Sequence, residues 1–252
     1  MIGPHQGQRL IVTGGASGIG LAVVRLAVQR GASVCMLDRD TSALSAAQRE
    51  LQGQAHPITC DVANPDSVAT AMQQAIDRIG GLDAVVNSAG IDALSPLEQL
   101  SDADWSRTLA VNLTGPMLVC REALPQLRQA GGGTIVNIAS GAGLTPLMHR
   151  TAYCASKAGL IMFGKALAME VAADGIRVNS VCPGAVDTPL FRSSFEGSDD
   201  PAGDLELIRR RYAMHRIALP QELAEAILFM ISPASSYITG TALAVDGGRT
   251  FH

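Results

Sequence analysis

Tyr153 and Lys157 stand four residues apart in "YCASK", a spacing that puts a phenol and an ammonium one turn apart on a helical face. An ammonium beside a phenol favours the phenolate and draws a pKa near 10 toward the working pH. Such a tyrosine can exchange a proton with a hydroxyl or a carbonyl, the proton half of alcohol–ketone chemistry. Taken alone, the pair also fits an ordinary surface helix. Ser140, closing "TIVNIAS", offers a hydroxyl to hold a reacting oxygen, and Asn112 in "LAVNLTG" offers an amide that can kink its helix and hold a water. Arg150, three residues before Tyr153, lies on nearly the same side and could grip a substrate carboxylate through its guanidinium. It could equally sit exposed at the rim or pair across a subunit contact. His149 beside it is a candidate hydrogen-bond donor or an incidental rim residue.

The other half of that chemistry needs a hydride carrier, and "TGGASGIG" (13–20) provides a place to hold one. Gly14, Gly18 and Gly20 let backbone N–H groups and a helix N-terminus face a pyrophosphate without side chains in the way. The spacing is G-x-x-x-G-x-G, not the common dinucleotide fingerprint, and turn chemistry alone would also explain it. Asp38 follows by about 20 residues, where a carboxylate binds both hydroxyls of an adenosine ribose and repels a 2′-phosphate. Arg39 could attract that phosphate, but Asp38 holds the discriminating position, so NAD is the expected cofactor and NADP the alternative. Asp61 and the stretch Asn87 to Gly90, including Ala89, also fall where open α/β sheets bind ligands.

Seven short apolar runs position these residues: 9–14, 33–38, 56–61, 82–87, 133–140, 176–184 and 242–248, each bounded by Gly, Asp or Asn. Helical segments separate them. "GIGLAVVRLAVQRG" keeps Ile19, Val23, Leu26 and Ala27 on one face and ends at Gly31. Strict alternation with long crossovers predicts an α/β fold, a doubly wound parallel sheet of seven strands with helices on both faces. No linker or repeat divides residues 1–252, so one domain is expected. Within it, 188–219 reads as a substrate lid: a polar, turn-rich loop followed by a basic helical run. Arg192, Arg209, Arg210, Arg211, His215 and Arg216 lie there; three consecutive arginines cannot all face inward, so one or two at most would meet substrate.

Net charge is −4, from 19 basic and 23 acidic residues, so no basic field exists for nucleic acid or an anionic membrane. No apolar stretch reaches the roughly 18 residues of a membrane span, and the first ten residues lack a secretion signal's apolar run. The five cysteines are odd in number and show no C-x-x-C spacing. Reduced core thiols, a cytoplasmic setting and no metal are expected.

"TGGASGIG", "NSAG", "VNLTG", "IVNIAS", "YCASK", "VNSVCPG" and "VDGG" occur in an order that covers nearly the whole chain and resembles the short-chain dehydrogenase/reductase family. The resemblance implies a Rossmann fold, with Tyr153 as general acid/base, Lys157 lowering its pKa and holding the nicotinamide ribose, Ser140 orienting the reacting oxygen, and Asn112 carrying a relay water. It also implies cofactor contacts from Ser17, Ile19, Val62, Asn87, Ala89, Gly90, Pro183, Val186 and Thr188, alongside Gly14, Gly18, Gly20, Asp38, Asp61, Tyr153 and Lys157. Ser88 departs from the usual N-N-A-G and puts a sheet-bracing contact in doubt.

Arg150 and the "VCPGAVDTP" run resemble the 3-hydroxybutyrate and keto-deoxy sugar acid dehydrogenase-like members, implying substrate contacts from Ser140, Arg150 and Tyr153. The expected function is an NAD-dependent oxidoreductase on a small hydroxy acid or sugar acid. The alternatives are an NADPH-dependent ketoreductase on a larger apolar or acyl substrate, and a non-catalytic dinucleotide-binding scaffold. A homotetramer, or else a dimer, is expected through helices near 102–129 and 151–173. The second carries Leu160, Ile161, Phe163, Leu167 and Met169, more apolar surface than one sheet face covers.

Overall fold

The computed structural model describes residues 5–195 and 198–250. Seven parallel strands form one sheet: β1 (Arg9–Thr13), β2 (Ser33–Asp38), β3 (Ala55–Thr59), β4 (Ala84–Asn87), β5 (Gly133–Ile138), β6 (Ile176–Pro183) and β7 (Ala242–Val245). Their order is β3-β2-β1-β4-β5-β6-β7, so the winding reverses beside β1. The helices between them are α1 (Gly18–Gln29), α2 (Thr41–Glu50), α3 (Pro65–Ile79), α4 (Asp102–Leu109), α5 (Gly115–Gln129), α6 (Thr151–Val171), α7 (Pro189–Arg192), α8 (Pro201–Arg209) and α9 (Pro220–Ile231). The expected fold class is therefore the observed one.

Alternation along the strands divides the core into two layers. Leu10, Val12, Val34, Met36, Val86 and Val136 face α1, α2 and α9, whereas Ile11, Cys35, Leu37, Val85 and Ile135 face α3, α5 and α6. Because both faces are covered, the strands are mostly apolar, and the cleft's polar side chains gather at their carboxyl ends. Of the apolar residues on α6, Leu160, Ile161 and Leu167 are buried within the protein and Phe163 packs against the second layer; Met169 alone of the five is strongly exposed. Most of the surplus expected for a partner is thus absorbed by the sheet. Among the described residues, no helix is long and apolar enough to cross a membrane.

Candidate active site

The strand ends open into a cleft of about 440 Å³, within the range of small-molecule sites. It lies where the strand order reverses, the expected place for a ligand in a doubly wound sheet. Gly14, Ser17, Gly18, Ile19, Asp38, Asp61, Val62, Ala89, Gly90, Pro183, Val186 and Thr188 line it, as do Ser140, Arg150, Tyr153 and Lys157.

Three of the expected residues sit behind the cleft. Gly20 packs under the loop, where a Cβ would overlap the Gly14 carbonyl. Asn87 is buried and donates to Asn137 Oδ1 at 2.9 Å, a brace between β4 and β5 that does not need an asparagine at Ser88. Asn112 is also buried, in a π-turn over Ala110–Thr114. Its Oδ1 accepts the Ile91 N–H at 2.9 Å, while its Nδ2 donates to the Ile91 carbonyl at 2.9 Å and to Ser156 Oγ at 3.1 Å. The helix is interrupted as expected, and the side chain uses both amide hydrogens and one of the two acceptor sites on its oxygen. These bonds clamp the chain just before Asp92.

At the other end, the N-terminus of α1 faces the cleft with no acidic residue in its first turn and no side-chain cap from Ser17. Gly14 takes φ 62° and approaches the Ala89 backbone too closely for any Cβ. These features fit a phosphate group. The Asp38 carboxylate accepts N–H bonds from Ala16 at 3.2 Å and from Asp40 at 3.1 Å, fixing it at the cleft edge. A dinucleotide therefore fits the residues present, with its pyrophosphate on the loop and its adenosine ribose at Asp38.

Burial dominates the electrostatics at the reacting end. It pushes the Tyr153 phenol up to about 12, with Ser140 and Arg150 acting against the rise and Asp92 adding to it. Lys157 Nζ lies 5.7 Å from the centre of the phenol ring and donates to the Ile138 carbonyl at 2.8 Å. The groups that act on the phenol are Ser140, Asp92, Arg150 and Cys154, and burial is the largest cause.

Burial also lowers Lys157 from 10.5 to about 8. Between those values the folded protein binds fewer protons at this site than the unfolded chain, so stability rises with pH across the window, by up to about 3 kcal/mol. In denaturant unfolding without cofactor, wild type should gain on Lys157→Met as pH climbs from about 8 toward 10. A flat difference would contradict a buried, depressed ammonium.

Arg150 reaches the cleft, but not as a free cation: its Nε lies 2.8 Å from Asp92 Oδ2. Asp92 is the main residue that sequence reasoning missed; its signal was a lone carboxylate two residues past "NSAG" at a strand exit. His149 is exposed and does not line the cleft. From the expected lid, Thr188, Pro189, Leu190, Phe191, Ser194, Ile208, Arg211 and Tyr212 line the cleft, while residues 196 and 197 lie outside the described residues. Arg192 pairs with Asp187, Arg209 and Arg210 with Glu206, and Arg216 with Glu222, leaving Arg211 as the arginine of this basic run on the cleft wall.

An open parallel sheet with this loop, this carboxylate and this proton-transfer set defines a dinucleotide-dependent oxidoreductase. A family model described as enoyl-(acyl carrier protein) reductase matches residues 14–250. The D-threitol dehydrogenase of Mycolicibacterium smegmatis is 39% identical, over 97% of this chain and 93% of that protein. The cis-4-hydroxycyclohexanecarboxylate dehydrogenase of Sinomonas cyclohexanicum is 40% identical, over 95% of each chain. The ligand-free structure of Thermoplasma acidophilum aldohexose dehydrogenase superimposes with a TM-score of 0.91 at 31% identity, covering all of this chain and 97% of that one. The chain belongs to the short-chain dehydrogenase/reductase family, and it is an oxidoreductase of CH–OH groups.

Proposed function

We propose that this protein is an NAD-dependent oxidoreductase that interconverts a secondary alcohol and a ketone on a small polar substrate. The observation that carries the reading is the placement of Ser140, Tyr153 and Lys157 in the same cleft as a backbone-anchored Asp38.

In this reading Gly14, Ser17, Gly18, Ile19 and Thr188 hold the pyrophosphate and nicotinamide portions, and Asp38 the adenosine ribose. Bound NAD supplies a hydride acceptor at the carbinol carbon. Ser140 orients the substrate oxygen and Tyr153 Oη takes its proton. Lys157, anchored on the Ile138 carbonyl, holds positive charge near the developing phenolate. Asn112, set in the π-turn, carries the relay water of this reading. Residues 188–219 close over the substrate, and a cytoplasmic homotetramer through α4, α5 and α6 completes the reading.

The expected hydroxy acid or sugar acid rested on Arg150, whose charge Asp92 compensates, so the substrate is read as polar without requiring a carboxylate. The relatives' names include a neutral tetritol and an anionic cyclic alcohol, consistent with that breadth. Arg39 on the cleft wall favours a second reading, an NADPH-dependent ketoreductase. A screen of NADH and NADPH production over polyols, hydroxy acids, sugar acids and neutral secondary alcohols tests both. Turnover with NAD on small polar alcohols is expected, and faster turnover with NADP on larger apolar alcohols would replace the first reading by the second.

A further inference from the structure

Asp92 and Arg150 enter the cleft from different segments, one from the exit of β4 and the other from the start of α6, and meet where both charges act on Tyr153, in the cleft that Ser140 also lines. Their side chains are 18% and 19% exposed, less than those of the other ion pairs among the described residues. Despite the short separation, the pair does not use up its own polar capacity. Asp92 Oδ1 and Arg150 Nε are buried without a hydrogen-bond partner, since the Nε–H is not aimed at the nearby carboxylate oxygen. Buried polar atoms of this kind ordinarily have partners, which marks the pair as under-satisfied, and the part of each side chain that stays exposed is what a ligand in the cleft can meet.

The backbone on both sides is built to hold the pair. Ile91 is clamped at its N–H and its carbonyl by Asn112. His149 adopts φ 58°, a conformation that L residues rarely take, and its carbonyl accepts the Ser95 N–H at 2.8 Å. That bond ties the residue before Arg150 to the segment carrying Asp92. A strained non-glycine held in place by its surroundings is a feature of binding sites more than of plain surface turns.

The chemistry of the pair restricts what it can recognise. A carboxylate only accepts hydrogen bonds and a guanidinium only donates them. A substrate carboxylate drawn to Arg150 would come to rest beside Asp92, a like charge in a partly desolvated site. A hydroxyl both donates and accepts, so it can satisfy the two groups at once. A monoalcohol cannot do this, because its one hydroxyl is engaged by Tyr153 and Ser140.

We propose that Asp92 and Arg150 together read a second hydroxyl, on the carbon next to the reacting one, and so select neutral vicinal diols and polyols over monoalcohols and hydroxy acids. The proposal rests on the alcohol–ketone reading above and names its substrate class. The reacting carbinol gives a hydride to NAD and its hydroxyl proton to Tyr153, yielding a hydroxyketone, NADH and a proton, while the second hydroxyl is unchanged.

The test compares kcat/KM of wild type with NAD on 2-butanol, 2,3-butanediol, 3-methoxy-2-butanol and 3-hydroxybutyrate. The diol should exceed the monoalcohol by about tenfold or more. The methoxy compound should fall back toward the monoalcohol, because an ether cannot donate to Asp92, and the hydroxy acid should rank below the diol. Asp92→Asn and Arg150→Gln should each lower the diol-to-monoalcohol ratio by about fivefold or more, with NADH affinity measured alongside to show that the fold is intact. A methoxy compound as good as the diol, a preferred hydroxy acid, or an unchanged ratio in folded variants would overturn the proposal and leave the alcohol–ketone reading standing. Turnover of none of the four with NAD or NADP would remove both. The wild-type series decides the matter if either variant does not fold.

Discussion

Tyr153→Phe is expected to lower kcat for alcohol oxidation by about 10²- to 10⁴-fold, the range of a lost general acid/base, while NADH binds within a factor of about two of wild type. The substitution removes one oxygen and keeps the ring, which sits on α6 beside the lysine ammonium. Packing is therefore preserved and the proton acceptor is not. The wild-type pH dependence should carry the same signature. With the phenol pushed up to about 12 by burial, the phenolate is the rare form near neutrality. Oxidation should therefore quicken as pH rises toward the alkaline range, and ketone reduction, which needs the protonated phenol, should not. Initial-rate measurements in both directions check this. Undiminished turnover by the Phe variant would remove Tyr153 from the chemistry and overturn this mechanism.

Those residues were legible because their chemistry is tied to local pattern. The strands announced themselves as short apolar runs ending in Gly, Asp or Asn, and the ends of a parallel sheet are where polar side chains meet a ligand. Ser140, Asp38 and the glycine loop each follow a strand directly, so finding the strand found the residue. What escaped the sequence were partnerships. Asp92 and Arg150 are far apart in the chain and are joined only by tertiary structure, so a substrate clamp, an exposed rim residue and a subunit contact all stayed open for Arg150. Asn112 was legible as a helix interruption, yet nothing in "VNLTG" says that Ile91 consumes its amide.

The desolvation of Tyr153 was hidden for a related physical reason. The lysine's position can be counted from spacing, whereas desolvation depends on what packs around the phenol. The helix carrying both residues shows the same limit. Its apolar surplus is visible in the sequence, but how much of it the protein's own sheet covers is not.

Asp38→Ser should shift the ratio of kcat/KM for NAD over NADP by about 100-fold or more toward NADP, from two effects that add. The first is the loss of ribose hydrogen bonds. A carboxylate has about four acceptor sites; Ala16 and Asp40 N–H groups use two at Asp38, which leaves two for the ribose hydroxyls. Losing a bond to a charged acceptor costs about 1.5–3 kcal/mol, enough to lower the NAD value by about tenfold or more. The second is the removal of repulsion. A carboxylate about 4 Å from a 2′-phosphate opposes each unit of its charge by about 4 kcal/mol at a near-surface dielectric, and Arg39 stays in place to pair with that phosphate. Asp40 is already engaged as the cap of α2, its Oδ1 accepting the Ser42 and Ala43 N–H groups at 3.0 and 2.9 Å. Steady-state rates with each cofactor, on wild type and variant, measure the shift. An unchanged ratio, or a wild type that already prefers NADP, would mean that Arg39 and not Asp38 governs the ribose end of the cleft.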